Sequence, residues 1–354
     1  MKRIAFLLLV TLFTVPFFQS CETDFDVTAP WQDITVVYGL ISQNDSVHYI
    51  KINKAFLGEG NALEYAQNAD SSSYGNNLEV VLIEMSKGNE LRRFNFDTTS
   101  VYNKEPGLFY APRQIIYKSA FKVPADYSSK ELIYNLEIRN KLTGKIITAS
   151  TPLVYDFAVK TPRPGLPSIN FATESTASRI EWTSAKNGKR YDVAIRFWFD
   201  EVRGASLDTV ARYIDWNMSS LKSASLQGGE DLEIQYTPSN FFGVCKSLIP
   251  YKEGSVINEN QVVSRLVNRI EFLFSVAGDE LNTYTEVNEP SSGLVQEKPE
   301  YTNIVNGIGL FSCRFTRSNE FTDSNGEVKV IKINPVTEER LISEGLKFVK
   351  KIGN

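Results

Sequence analysis

Arg190-Tyr191-Asp192-Val193-Ala194-Ile195-Arg196-Phe197-Trp198-Phe199-Asp200 alternates without a break. Tyr191, Val193, Ile195, Phe197 and Phe199 fall on one side of an extended chain; Asp192, Ala194, Arg196, Trp198 and Asp200 fall on the other. A period of two sustained this long marks a strand with one buried and one wetter face. Residues 178–182, ending in Trp182, form a shorter strand just before it. Asn187-Gly188 lies between them, and both residues tolerate the positive φ of a tight turn, so the two strands are expected to pair as a hairpin.

The same period extends outward in both directions. Ile34, Val36, Tyr38 and Leu40 alternate with Thr35 and Val37, and after an Asn44-Asp45 turn residues 46–56 place His48, Ile50 and Ile52 on one face. Residues 58–77 read as a long polar loop. Strands are expected at 78–85 and 91–96 around Lys87-Gly88-Asn89, at 109–117, and at 132–139 and 145–151 around Leu142-Thr143-Gly144. Further on they are expected at 210–216, at 232–236, along the face Leu266, Ile270, Phe272, Phe274 and Val276, at 307–315, and at 328–333 after Asn325-Gly326. Helical stretches are expected at 238–249 with Ser239 as cap, at 281–288, and at the end, where Thr337 caps a run of Leu341, Ile342, Leu346 and Val349. Many short strands without a long helical period predict a mainly β chain of two antiparallel β-sandwich domains, immunoglobulin/fibronectin-like, with a short C-terminal helix. Trp182 followed by the Arg190 strand resembles the early strands of fibronectin type III sandwiches. Thr161-Pro162-Arg163-Pro164-Gly165-Leu166-Pro167 is the densest proline stretch and separates an N-terminal domain, 33–160, from a C-terminal one, 168–354.

Composition allows two cores: 354 residues, 42% hydrophobic and 12% aromatic. Thirty-eight Lys and Arg stand against 42 Asp and Glu, a formal net charge of −4, and no basic stripe appears. Nucleic acid is therefore not an expected partner. A single histidine, His48, argues against a histidine-rich zinc site and most histidine-based triads. The three cysteines, Cys21, Cys245 and Cys313, have no metal-ligand spacing, and no cofactor is implied. Outside the cytosol Cys245 and Cys313 can form a disulfide; the alternative is two separate buried thiols.

The N-terminus assigns a compartment. Lys2 and Arg3 precede an apolar run, residues 4–18, and Ser20 precedes Cys21. The run has the length of a signal h-region and is short for a bilayer span. Phe18-Gln19-Ser20-Cys21 resembles the looser form of a bacterial lipoprotein signal. It implies removal of residues 1–20 and acylation of Cys21, which ties the chain to a membrane through lipid. An ordinary signal peptide cut near Ser20, or an uncleaved anchor, are the alternatives. Residues 21–32 form a tether in which Glu22, Asp24 and Asp26 resemble the acidic export signals of Bacteroidota surface lipoproteins. The expected location is the outer membrane, facing the cell exterior.

Candidate chemistry is sparse. Asp323-Ser324-Asn325-Gly326-Glu327 has the opening of a calcium loop but lacks its later acidic ligands, and reads as a hairpin turn. His48 lacks a partner set for catalysis, since neighbouring strand residues such as Asp45 and Ser46 point to opposite faces. No carboxylate pair stands out for glycoside cleavage. Binding is expected to reside in aromatics: Trp198 as an exposed platform, Trp216, the loop residues Tyr65 and Tyr74, and Phe241-Phe242. Asp45-Ser46-Val47, Asp97-Thr98-Thr99 and Asp208-Thr209-Val210 fit the short O-glycosylation pattern of Bacteroidota.

Val37-Tyr38-Gly39-Leu40, then 47–52, then 132–138 ahead of Gly144, and finally Asn303, Ile304, Gly307, Gly309 and Phe311 occur in the order of one family. The chain resembles a Bacteroidota family of lipoproteins, a domain of unknown function often encoded beside TonB-dependent receptors. The resemblance implies a receptor partner and supplies no catalytic residues. Gly307 and Gly309 are spaced for close approach of another backbone or ring. The sequence thus predicts a non-enzymatic lipoprotein that binds a ligand or partner beside such a transporter. A structural or adhesive envelope protein and a carboxylate-based hydrolase are the competing readings.

Overall fold

The computed structural model describes residues 32–351 except 58–61, 109, 125, 174–176, 205–206, 250–261, 290–299, 320 and 323. The signal segment, Cys21, the acidic tether and Asp323 lie outside the described residues. The chain is mainly β, 51% strand and 14% helix, built on a large mixed sheet.

Strands β1 (Gln32–Ser42) and β2 (Val47–Leu57) form a hairpin around Asn44-Asp45. Two short helices, α1 (Ala62–Gln67) and α2 (Ala69–Ser72), occupy the stretch whose composition reads as a polar loop. Asn68 caps α2 by accepting from the Asp70 amide at 3.0 Å. Strands β3 (Leu78–Ser86) and β4 (Asn89–Val101) turn through Lys87 and Gly88, both at positive φ. There follow β5 (Gln114–Ala120), β6 (Leu132–Asn140), β7 (Ile146–Pro152), β8 (Val159–Thr161), β9 (Ser168–Ile169), β10 (Ser178–Thr183), β11 (Arg190–Arg203), β12 (Asp208–Asn217), β13 (Leu221–Lys222) and β14 (Asp231–Tyr236). The chain ends with α3 (Asn240–Leu248), β15 (Val262–Ala277), α4 (Asp279–Asn288), β16 (Ile308–Ser318), β17 (Phe321–Thr322), β18 (Val328–Lys329), β19 (Lys332–Ile333) and α5 (Pro335–Ser343).

The large sheet runs β12-β11-β15-β16-β1-β2-β5-β4-β3-β6-β7, with β13 beside β11; a second sheet runs β14-β10-β8. The expected hairpin of 178–182 with 190–200 does not form. β10 pairs with β14 and β8, whereas β11 pairs with β15, β12 and β13. Both strands have an apolar face aimed at one core, so the chain crosses between layers instead of folding back in one plane. Trp182 of β10 meets Tyr191 of β11 and Phe274 of β15 there, with ring centroids 5.8 and 5.4 Å apart. Asn187 still makes a turn, at φ 63°, and its side-chain amide donates to the Leu153 carbonyl at 2.8 Å. A Cβ on Gly188 would lie 2.6 Å from the Tyr191 hydroxyl, so the crossing has no room for a side chain.

The expectation of purely antiparallel sheets fails at two pairs: the short β9 and β19 run parallel, and so does a longer pair in the large sheet. β1 and β16 run parallel, from Val36 opposite Ile308 to Ser42 opposite Arg314. This pairing spans the proline-rich stretch, so strands from both halves of the chain share one sheet and one core. Two buried carboxylates within it are partnered: Glu84 receives Arg92 at 2.5 and 2.9 Å and the Tyr134 hydroxyl at 2.9 Å, and Glu201 receives Arg265 at 2.9 and 3.0 Å.

Three local expectations are corrected. Ser239 stands at the N-cap of α3, but its side chain makes no capping hydrogen bond. Asn334, not Thr337, caps the last helix by accepting from the Thr337 amide at 2.9 Å. Thr337 is buried, its hydroxyl accepting from the Phe171 amide at 2.8 Å. That helix ends at Ser343; Gly345 turns at φ 76°, and Leu346 and Phe348 reach the core from an extended segment while Val349 stays exposed.

Candidate functional site

The motif residues at 303–311 and 37–40 meet. In the parallel register Gly309 lies opposite Val37, and Gly39 lies opposite Phe311. A Cβ on Gly309, which sits at φ 118°, would fall 2.1 Å from the Val37 carbonyl oxygen; one on Gly307 would fall 2.7 Å from that of Thr35. On the other strand, a Cβ on Gly39 would press on the Phe311 ring at 3.0 Å. Asn303 acts as a surrogate strand residue: its amide donates to the Phe311 carbonyl at 2.6 Å and accepts from the Phe311 amide at 2.9 Å. These residues therefore weld β1 to β16. Their chemistry is structural, and what they present to solvent is the outer face of the weld.

That face carries Tyr38. β1 has apolar residues on both sides: Val37 and Ile41 are fully buried, whereas Val36 and Leu40 are half-buried and Tyr38 is 42% exposed. Helix α4 lies beside it. Asp279 and Glu280 in its first turn complement the helix dipole. Gly278 donates to the Cys313 carbonyl at 2.9 Å and Leu281 to the Ser312 hydroxyl at 3.2 Å, which docks the helix on β16. One turn later Tyr284 meets Tyr38 edge-on, with hydroxyls 3.4 Å apart. That hydrogen bond, then burial, pushes the Tyr38 phenol up to about 12, so it stays neutral.

A groove of about 750 Å³ opens here, lined by Tyr38, Leu40, Val47, Tyr49, Leu281, Tyr284 and Leu310. Its rim is polar, but its charges are engaged: Asp45 faces Arg314 at 3.8 Å, and Glu289 accepts from Arg190 at 2.7 Å. An apolar, aromatic concavity with a few polar groups at its edge is the form of a binding site. Tyr38 also lines a second recess, of about 630 Å³, on the α2 side of the sheet.

The aromatic residues singled out in the sequence sit elsewhere, and of the other candidates His48 borders the groove. Trp198 faces outward on β11, but its ring is sandwiched: Arg269 lies 4.6 Å from its centroid, Arg196 5.8 Å, and Tyr213 packs at 4.9 Å. Trp216 packs against Tyr236 and Phe171 at the edge of the core. Tyr74 is buried, its hydroxyl donating to Asp33 at 2.5 Å and bonded to Thr35 at 2.8 Å. Tyr65 is exposed on α1, away from both recesses. Phe241 and Phe242 are buried in α3. Cys245 and Cys313 are not bonded; each is a buried thiol. Burial pushes both upward, Cys313 to about 12, and neither is a ready nucleophile.

His48 faces inward, stacked on Phe121 with centroids 3.9 Å apart. Its nitrogens reach no well-formed hydrogen bond with the nearby backbone of Asp45 and Phe121. Burial lowers its pKa, and the ring is neutral at pH 7. Ser46, Thr98 and Thr209 of the glycosylation-like triplets are exposed. Among the described residues no group of three His, Cys, Asp or Glu side chains is placed to hold a metal ion. No helix among them is long and apolar enough to cross a membrane. No protein-family model matches the chain, and no curated protein matches it.

The sequence did not single out Tyr38, Tyr49 or Tyr284 as binding residues. The alternation of Ile34, Val36, Tyr38 and Leu40 with Thr35 and Val37 holds, and it is Thr35, Val37 and Ile41 that are buried. The signal was present: β1 is apolar on both faces, which a strand needs only when something covers, or docks on, its second side.

Proposed function

We propose that this protein is a non-enzymatic binding lipoprotein, held in the outer membrane by acyl chains on Cys21 and facing the exterior. It would act as an accessory to a TonB-dependent transporter. The observation that carries the binding part is the Tyr38–Tyr49–Tyr284 groove, whose rings offer large contact area at low conformational cost. The anchor and partner rest on the N-terminal pattern and on the resemblance to receptor-associated lipoproteins. The carboxylates at the groove rim are held by arginines, which suits a recognition surface better than a general acid. A purely structural spacer would have no use for a concave aromatic site.

We also read the C-terminal half as a fibronectin-like sandwich. β8, β10 and β14 on one side, and β12, β11, β15 and β16 on the other, follow the strand order of that module. The N-terminal half would be a second sandwich joined through β1.

The test is protease shaving of intact cells combined with affinity purification from membranes. The reading expects the protein to be lost on shaving and a TonB-dependent receptor to co-purify with it. Tyr49→Ala combined with Tyr284→Ala should reduce receptor recovery while leaving surface exposure unchanged. Protection from protease, with no receptor recovered, would replace it with an envelope structural role.

A further inference from the structure

The second recess has a different chemistry from the groove. β2 pairs with β5 only from Val47 opposite Ala120 to Ile50 opposite Tyr117, although β2 continues to Leu57. Past that point the ladder ends, and a trough of about 630 Å³ lies between β2, the start of β5 and helix α2. Its apolar lining includes Val36, Ile52, Ala55 and Ile115. Around these stand four cations, Lys51, Lys54, Lys104 and Arg113, and one carboxylate residue, Asp70. In a chain of net charge −4 this is a strong local reversal.

The cations are also handled unlike those elsewhere. Most arginines of the sheets are fastened to carboxylates: Arg92 to Glu84, Arg196 to Asp215, Arg265 to Glu201 and Arg269 to Glu271. Lys51, Lys54 and Arg113 form no ion pair among the described residues. Lys54 donates to the Asp70 backbone carbonyl at 3.3 Å and stands 5.2 Å from the Tyr74 ring centroid. Arg113 donates to the Ser100 hydroxyl at 3.2 Å. Lys104 donates to the Tyr110 carbonyl at 2.9 Å. The Lys51 ammonium makes no hydrogen bond among the described residues, and both desolvation and the neighbouring Lys104 charge disfavour its charged form. Gathering like charges in a recess costs free energy that a bound anion returns.

We infer that the trough between β2, β5 and α2 binds a small organic polyanion, a molecule carrying two or more carboxylate or phosphate groups on a compact body. Three features set the class. The cations ring the recess, which favours several oxyanions on one molecule over a single inorganic ion. The apolar floor rewards a carbon skeleton. The volume is that of a small-molecule pocket, and the acidic remainder of the chain repels an extended polyanion such as nucleic acid. This goes beyond the binding role proposed above: it needs neither the anchor nor a transporter, and fails or stands separately from them.

The test is calorimetric titration of the purified full-length protein in detergent with citrate, inorganic pyrophosphate and tri-galacturonate, against maltotriose as a neutral comparator. At least one polyanion should bind at a single site while maltotriose does not. Binding should weaken about tenfold or more between low salt and roughly 0.5 M salt, since the contacts are ionic. Lys51→Glu and Arg113→Glu should each lower affinity by about tenfold or more, the size expected for losing a charge-assisted contact. Tyr284→Ala, in the neighbouring groove, should leave it unchanged. Lys51 and Arg113 are exposed, so their variants should fold. Binding of citrate or tri-galacturonate but not pyrophosphate assigns carboxylates, and the converse assigns phosphates. Equal binding of all four compounds, binding of none, or polyanion binding indifferent to both charge reversals would overturn the inference.

Discussion

His48 is the only side chain of its kind in the chain, which makes its energetics separable. Stacked on Phe121 within the core, it is held neutral because burial lowers its pKa below the ordinary value of 6.5. In the unfolded chain it titrates normally. As pH falls through about 6.5 the unfolded state takes up a proton that the folded state refuses, so stability falls with pH from there down to the folded pKa. The slope from this one group is at most about 1.4 kcal/mol per pH unit. Glu280 acts with the opposite sign. Burial raises its pKa, so the folded state holds the proton more tightly, and the stability so gained is lost as pH rises through the folded value. Denaturant midpoints measured between pH 7 and 5 should therefore carry a downward contribution from His48, offset by Glu280. The downward contribution should be absent in His48→Phe, which keeps the ring stack and removes the proton site. An unchanged pH profile in that variant would show that His48 is not the group responsible.

At the scale of elements, the controlling feature is the parallel pair β1 and β16, and it hinges on Gly309. That residue sits at φ 118°, a conformation L-residues rarely adopt, with the Val37 carbonyl where its side chain would be. Gly309→Ala cannot be absorbed by a rotamer change, because the obstacle is backbone. A loss of about 3 kcal/mol or more is expected, read as a lowered urea midpoint, whereas Gly326→Ala in the open β17–β18 turn should cost about 1 kcal/mol. Equal effects of the two would remove Gly309 from its structural role. This pair also marks where the sequence was legible. The glycine spacing announced close approach, but nothing in it named β1 as the partner, because a parallel contact between segments so far apart leaves no turn residue to read. Local turns were readable where chemistry forces them, as at Gly88 and Gly144. The turn at Asn187 misled, since positive φ serves a crossing between layers as well as a hairpin. The binding groove escaped because it is assembled from β1, β2 and α4, and Tyr284 becomes a partner of Tyr38 only in three dimensions.

For the whole molecule, the question is whether the halves flanking the proline stretch behave as two units or one. Several ties cross between them besides β1 and β16. Thr148 and Val305 exchange backbone hydrogen bonds at 3.2 and 2.8 Å, so the segment leading into β16 is held to β7. The Thr316 amide donates to Asn44 at 3.1 Å, the Val154 amide donates to the Cys313 sulfur at 3.2 Å, and the Asn187 side chain donates to the Leu153 carbonyl at 2.8 Å. The apolar core is continuous from Val37 and Ile50 to Phe274 and Leu341. Each crossing backbone hydrogen bond contributes about 1 kcal/mol net, and the shared apolar surface adds to them. Separating the halves would also strand the inward face of β16 in water. One cooperative transition is therefore expected, despite a length at which chains often divide. Trp182, Trp198 and Trp216 lie in the C-terminal half, and with the fourth tryptophan replaced, in Trp31→Phe, their fluorescence reports that half alone. Amide exchange in β3 and β6 reports the other. In urea the two probes should give one midpoint, and Gly309→Ala should pull them apart by loosening the joint. Two separate midpoints with Gly309 intact would mean that the shared sheet is too weak to couple the halves. The Tyr38 groove and the basic trough would then sit beside a movable joint instead of on a fixed frame.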